Sequence, residues 1–188
     1  MQFDMIFIGA GQAGGPLAIA NAKAGKKVAL IERDKVGGTC LNYGCRPTKA
    51  MRASARVAHL ARRAADFGVS TGAVEVDLGA VVARKDAMIG KWVNGYQNHL
   101  ENDIENLTLF YGQGHFIGRE DEQFQIQVGE QQISAPQVYL NVGTRAAAPP
   151  ITGIDEVPYL TNVELLDLKT LPDHLIVIGG SYIGLEFG

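Results

Sequence analysis

Residues 3–32 read FDMIFIGAGQAGGPLAIANAKAGKKVALIE: two short apolar runs joined by a glycine turn and a helical stretch of small residues. Strands so connected pair in parallel, because the helix must cross over the sheet to bring the second beside the first. The pattern predicts a strand at 3–8, a helix from Pro16 to Ala24 stopped by Gly25, and a second strand at 27–32. Gly9, Gly11 and Gly14 fit G-x-G-x-x-G in the strand-to-helix setting where each glycine has a physical reason. The first permits the tight turn, the second lets a pyrophosphate approach the backbone, and the third lets helix and strand pack closely. Unpaired N–H groups and the positive end of the helix dipole then favour phosphate. Glu32 closes the second strand, where a carboxylate accepts hydrogen bonds from a ribose diol and repels a 2′-phosphate. The ligand implied is an adenosine diphosphate of the NAD or FAD kind, and the motif does not separate the two.

Both cysteines of the chain, Cys40 and Cys45, lie in GGTCLNYGC, residues 37–45. The amino terminus has no basic n-region and carries Asp4 where a signal peptide is apolar, so a cytoplasmic protein is expected. In that compartment a close cysteine pair points to redox catalysis or metal binding rather than a structural bridge. Two cysteines do not complete a zinc site, and His59, His99, His115 and His174 stand at no ligand spacing from them; no metal is expected. The five-residue step could close a small, reducible disulfide ring if the chain bends at Gly44. Pro47 marks a helix start just after Cys45, and Arg46 and Lys49 are close by, so the thiolate of Cys45 is favoured. Taken alone, C-x4-C reads more readily as two inert, buried thiols. Its place just beyond a dinucleotide-binding unit favours a redox couple.

Further along, Ala50, Ala53, Val57, Leu60, Ala64 and Phe67 form one apolar stripe of a helix over 47–67. Lys49, Arg52, Arg56, His59 and Arg63 share another face, read as solvated for all but Lys49. A second helix starts after Asp77, its N-cap, with Leu78, Val81, Val82, Ile89, Trp92, Val93, Tyr96 and Leu100 inward. Strands are expected in LTLFYG, GHFIG, FQIQV and QVYLNVG. RAAAPPITG, residues 145–153, is the expected boundary between a domain at 1–150 and a stretch at 151–188. HLIVIGGSYIGLEFG then begins another strand, glycine turn and helix. Because a lone strand has no sheet to join, 151–188 is expected to be the truncated start of a second domain. Composition is globular, with 46% hydrophobic and 20% charged residues. A net charge of −3 provides no field for nucleic acid, and the apolar runs are too short to span a bilayer.

GAGQAG to Glu32, GGTCLNYGCRPTK, GQGHF, YLNVGTRAAAPPITGID and VIGGSYIGLEFG together resemble the flavin-dependent pyridine nucleotide–disulfide oxidoreductases, the family of glutathione reductase, lipoamide dehydrogenase and mercuric reductase. The resemblance implies an α/β fold. A Rossmann-like FAD-binding domain combines a parallel sheet with an antiparallel β segment, and the start of a Rossmann-like NAD(P)-binding domain follows. It implies FAD held by Gly9, Gly11 and Gly14 at the pyrophosphate, Glu32 at the ribose, and Gly38 and Thr39 nearer the flavin. Gly114 and His115 would touch the adenine, and Gly143 and Thr144 would close over the cofactor. Cys40 would be the interchange thiol, Cys45 the charge-transfer thiol, and Lys49 the lysine near flavin N5, paired with Glu186. The implied activity passes electrons between NAD(P)H, FAD and a Cys40–Cys45 disulfide to a disulfide or metal-ion substrate, in a homodimer. The 188-residue stretch alone is expected to be inactive, lacking most of the nicotinamide site. Ser181 stands where the second glycine motif has its middle glycine. The competing reading is a non-catalytic FAD-binding or redox-sensing module.

Overall fold

The computed structural model describes residues 1–188. In chain order its elements are β1 (Met5–Ile8), α1 (Gly14–Lys23), β2 (Val28–Glu32), α2 (Gly38–Asn42), α3 (Cys45–Arg62), α4 (Leu78–Asn98), β3 (Leu107–Tyr111), β4 (Gly114–Glu120), β5 (Gln123–Val128), β6 (Gln131–Ala135), β7 (Val138–Leu140), α5 (Asn162–Leu166) and α6 (Tyr182–Phe187). Two compact units divide the chain: Met1–Asn42 with Gly90–Arg145, and Tyr43–Ile89 with Ala146–Gly188.

The first unit is built on a four-stranded sheet in the order β3-β2-β1-β7, parallel throughout, with Ile6 opposite both Ala29 and Val138. Side chains alternate across it as the strand period requires. On one face Ile6, Ile8, Ala29, Ile31 and Phe110 pack with Ile126, Val128, Ile133 and Ala135 of a second, antiparallel sheet, β4-β5-β6. On the other, Phe7, Val28 and Leu30 pack with Ala18 and Ala22 of α1, with Val36, and with Leu100 and Ile104 beyond α4. Coverage of both faces is why β1 and β2 read as unbroken apolar runs. Residues as large as Phe7 or Leu30, wholly buried, each contribute about 1.5–3 kcal/mol. LTLFYG and QVYLNVG thus extend the parallel sheet, whereas GHFIG and FQIQV enter the antiparallel one. Their partner β6, QQISA, escaped the sequence reading because only Ile133 and Ala135 of it are buried.

In the second unit α3 buries Pro47, Thr48 and Ala50 at its start. The stripe expected to continue inward does not: Val57, Leu60 and Phe67 are 68%, 50% and 70% exposed. Helical period identifies an apolar face but not what covers it. Asp77 caps α4 by accepting from Ala80 N at 3.0 Å. Thr161 and Glu164 form a capping box on α5. The strand expected within HLIVIG is not formed, and Leu175–Ile178 is exposed. A parallel strand needs neighbours to take its N–H and C=O groups, and these residues have none here. The glycine turn after it does form: Gly179 has φ +109°, close to the +106° of Gly9. A Cβ on Gly184 would strike Gly179 O, as one on Gly14 would strike Gly9 O. Thus the first Rossmann-like fold carries a four-stranded parallel sheet, and residues 179–187 form the glycine turn and helix of a second such motif.

Candidate active site

The first unit gathers Gly9, Gly11, Gly14, Glu32 and Gly38 at the carboxyl ends of β1 and β2. Gly9 leaves β1 with φ +106°, a conformation side chains rarely adopt, and its N–H donates to Ile31 O at 2.7 Å. Glu32, only 8% exposed, reaches back across the turn. Its Oε2 accepts from Ala10 N at 2.9 Å and its Oε1 from Asp34 N at 3.0 Å. Each oxygen has lone-pair capacity for a further donor. Gly37 N donates to Ala10 O at 2.8 Å, and Gln12 Nε2 to Gly37 O at 3.0 Å. These bonds bring the start of α2 against the loop, so that a Cβ on Gly38 would stand 2.9 Å from Gly11 Cα. Below the loop, a Cβ on Gly15 would strike the hydroxyl of Tyr96, which is buried without a hydrogen-bond partner. Loss of solvent pushes the phenol of Tyr96 up.

Around this cradle the remaining residues are less closely held. Thr39 is exposed on α2, with Cys40 half-buried beside it. Gly114 opens β4 against the side chains of Ile31 and Ile8, and His115 next to it is exposed. Gly143, with φ +71°, and Thr144 are exposed in the loop after β7. A Cβ on Gly143 would meet nothing within 4 Å. It is Asn141 that meets the loop, a residue the sequence reading passed over.

In the second unit Cys45 is the first residue of α3 and is exposed. Cys40 and Cys45 are not joined to each other here. Thr48 Oγ1 donates to Gly44 O at 2.7 Å, fixing the turn before α3. Lys49, one helical turn beyond Cys45, meets Glu186 of α6 with Nζ 2.5 Å from Oε1. The hydrogen bond to Glu186 holds the ammonium above the ordinary lysine range, partly opposed by desolvation and aided by the charges of Glu186 and Cys45. A second lysine, Lys85, was not foreseen at all. Its side chain is 5% exposed, and its Nζ donates to Leu166 O at 2.9 Å and contacts the carboxylates of Asp167 and Asp86 at 2.9 and 2.8 Å. Burial pushes this group down, but its two carboxylates more than reverse that and raise it overall. Lysine in a helix gives no sequence sign of burial, because its partners at 166 and 167 are remote.

No group of three His, Cys, Asp or Glu is placed to hold a metal, and no helix is long and apolar enough to cross a membrane. The glycine loop and Glu32 suit an adenine dinucleotide: the turn leaves no room for side chains, and the carboxylate at the strand end keeps acceptor capacity. A family model described as pyridine nucleotide-disulphide oxidoreductase matches residues 3–188. The chain belongs to this family. Among curated members of the pyridine nucleotide-disulphide oxidoreductases it is 38% identical to a mercuric reductase of Bacillus cereus, over 99% of this chain and 29% of that one. It is 35% identical to a dihydrolipoyl dehydrogenase of Acholeplasma laidlawii, over 99% of this chain and 55% of that one. The solved HOCl-induced flavoprotein disulfide reductase RclA of Escherichia coli superposes with a TM-score of 0.80 at 34% identity, covering 98% of this chain and 38% of that one. The chain therefore spans between 29% and 55% of the length of these relatives. The assignment is thus to a family of enzymes, and the solved relative is by its name a flavoprotein disulfide reductase.

Proposed function

We propose that this chain is the FAD-binding portion, residues 1–150, and the opening of the NAD(P)-binding domain, residues 151–188, of a flavoprotein disulfide oxidoreductase. The observation that carries the reading is in α2. The helix that starts on Gly38 against the glycine loop holds Cys40 two residues later, so a thiol stands beside the cradle suited to a dinucleotide. Gly9, Gly11, Gly14 and the amino terminus of α1 would hold the pyrophosphate. Glu32 would take the ribose, Gly38 and Thr39 the phosphate nearer the flavin, Gly114 and His115 the adenine, and Gly143 and Thr144 the outer edge. When bound, FAD supplies two-electron transfer between a reduced nicotinamide and the thiol pair.

The chain's own residues do the sulfur chemistry. Cys40 as thiolate attacks one sulfur of a substrate disulfide, releasing the other as a thiol. Cys45 then attacks the mixed disulfide, which frees the second substrate thiol and leaves a Cys40–Cys45 disulfide. Two electrons pass from the pair to the substrate, and reduction of that disulfide resets the cycle. Cys45 stands at the amino terminus of α3, with Lys49 one helical turn beyond it. Glu186 orients Lys49 and keeps it charged. The substrate proposed is a disulfide or a thiol-avid metal ion, two sorts suggested by the names of the relatives. A cytoplasmic homodimer using NADH or NADPH completes the reading.

The test is the visible spectrum of the full-length protein before and after two-electron reduction. A bound flavin with a long-wavelength thiolate band, lost on Cys45→Ser, is the expected result. A colourless protein, or a flavin spectrum indifferent to Cys45→Ser, would sink the proposal.

A further inference from the structure

The reading that the Gly9–Gly14 loop takes a dinucleotide underlies the following inference, which concerns what shapes that loop. Asn141, directly after β7, is fixed to the sheet by its own N–H, which donates to Ile8 O at 2.8 Å. Its side chain turns into the loop, where Nδ2 donates to Gly9 O at 3.2 Å. All three motif glycines stop against this one residue. A Cβ on Gly9 would run into the backbone carbonyl of Asn141. A Cβ on Gly11 would stand 2.9 Å from Nδ2, and one on Gly14 would stand 2.9 Å from Nδ2 and 3.1 Å from the Asn141 Cβ.

The three positions differ in what else they meet. Gly14 also faces Gly9 O, and Gly9 needs its positive φ whatever its neighbours. For Gly11 the Asn141 amide is the one close obstacle, the next residue being Gly38 with Cα at an ordinary 4.0 Å. An alanine at 11 would therefore push the Asn141 amide off Gly9 O and release the loop.

We propose that Asn141 is the positioning residue of the dinucleotide loop, and that position 11 is glycine because Asn141 fills the space beside it. By pairing the Gly9 carbonyl within the fold, Asn141 keeps that acceptor away from an incoming anion and sets the loop before any ligand arrives. Preorganisation of this kind improves affinity by lowering the ordering cost of binding. The rival explanation, that Gly11 is bare only so that pyrophosphate can approach, predicts no energetic link between positions 11 and 141.

A double-mutant cycle of Gly11→Ala and Asn141→Ala in the full-length holoenzyme separates the two. The readouts are the flavin dissociation constant and the unfolding midpoint of the apoprotein. Each single substitution is expected to weaken flavin binding about five- to tenfold, since the clash and the lost hold act on the same loop. G11A/N141A should bind no more weakly than N141A alone, and its apoprotein midpoint should match that of N141A. Multiplying losses in the double variant would overturn the inference. Gly14→Ala serves as the control: it should stay defective in the N141A background, because Gly9 O still blocks it, and its recovery would equally overturn the proposal. A wild-type protein that retains no flavin sinks the functional reading instead, while the apoprotein midpoints still decide the role of Asn141.

Discussion

Glu32→Gln separates what the carboxylate does for the fold from what it does for a ligand. Glu32 is 8% exposed, and its two oxygens accept from two backbone donors, Ala10 N at 2.9 Å and Asp34 N at 3.0 Å. Glutamine has the same shape but a single acceptor, so one of these N–H groups would face an NH2. Ala10 is 0% exposed and has no water to turn to. A hydrogen bond to a charged acceptor is worth about 1.5–3 kcal/mol, and leaving a buried donor unmet costs about 1–3 kcal/mol. The apoprotein of E32Q should therefore lose about 2–3 kcal/mol in urea unfolding at unchanged m-value, with Glu32→Ala losing more because both donors are abandoned. Flavin affinity, measured separately, should fall by more than the stability loss alone accounts for if the free lone pairs also serve the ribose. An E32Q apoprotein within about 0.5 kcal/mol of wild type, the scatter of ordinary surface substitutions, would refute the claim that Glu32 ties the turn to the sheet.

Lys85→Met should keep the buried stem but abandon Leu166 O. A loss of about 1–3 kcal/mol is expected, with faster hydrogen exchange at 161–168; unchanged exchange there would show the lysine to be idle. Since its pKa is raised in the fold, the Lys85 contribution is complete below the unfolded value near 10.5 and disappears as pH rises through the higher folded value, a loss K85M should not show. Glu186→Gln should move the Lys49 titration, followed by side-chain NMR, down toward the ordinary lysine value while leaving that of Lys85 in place. An unmoved Lys49 would mean that its partner is not Glu186.

What could be read from the sequence was what is local. β1, α1 and β2 follow from apolar runs and a glycine turn within thirty residues, and the cap at Asp77 from one residue before a periodic stretch. β6 was missed because three of its five residues are glutamine or serine, and its place is set by β5 rather than by its own pattern. Residues 174–178 are as apolar as β1, yet form no strand, since hydrogen-bonding neighbours and not composition make a parallel strand. The same holds at the site. Glu32 could be given a ligand from its position, but its bonds to Ala10 and Asp34 required coordinates. Asn141 and Lys85 act on partners 132 and 81 positions away. Neither distance leaves a periodicity to read.

The two glycine turns show which of these demands are intrinsic. Gly9 and Gly179 share a positive φ near +106° and +109°, and Gly14 and Gly184 each lie against the carbonyl of the glycine five positions earlier. Those outer glycines are required by the turn's own backbone, so the second turn forms although its preceding strand does not. The middle position is different. In the first turn it is Gly11, pressed by the side chain of Asn141 just past β7; in the second it is Ser181, which stands exposed. A serine in the middle of G-x-G-x-x-G therefore does not prevent the turn. Whether the middle residue must be glycine depends on what the next strand puts beside it, and in the first turn that is Asn141.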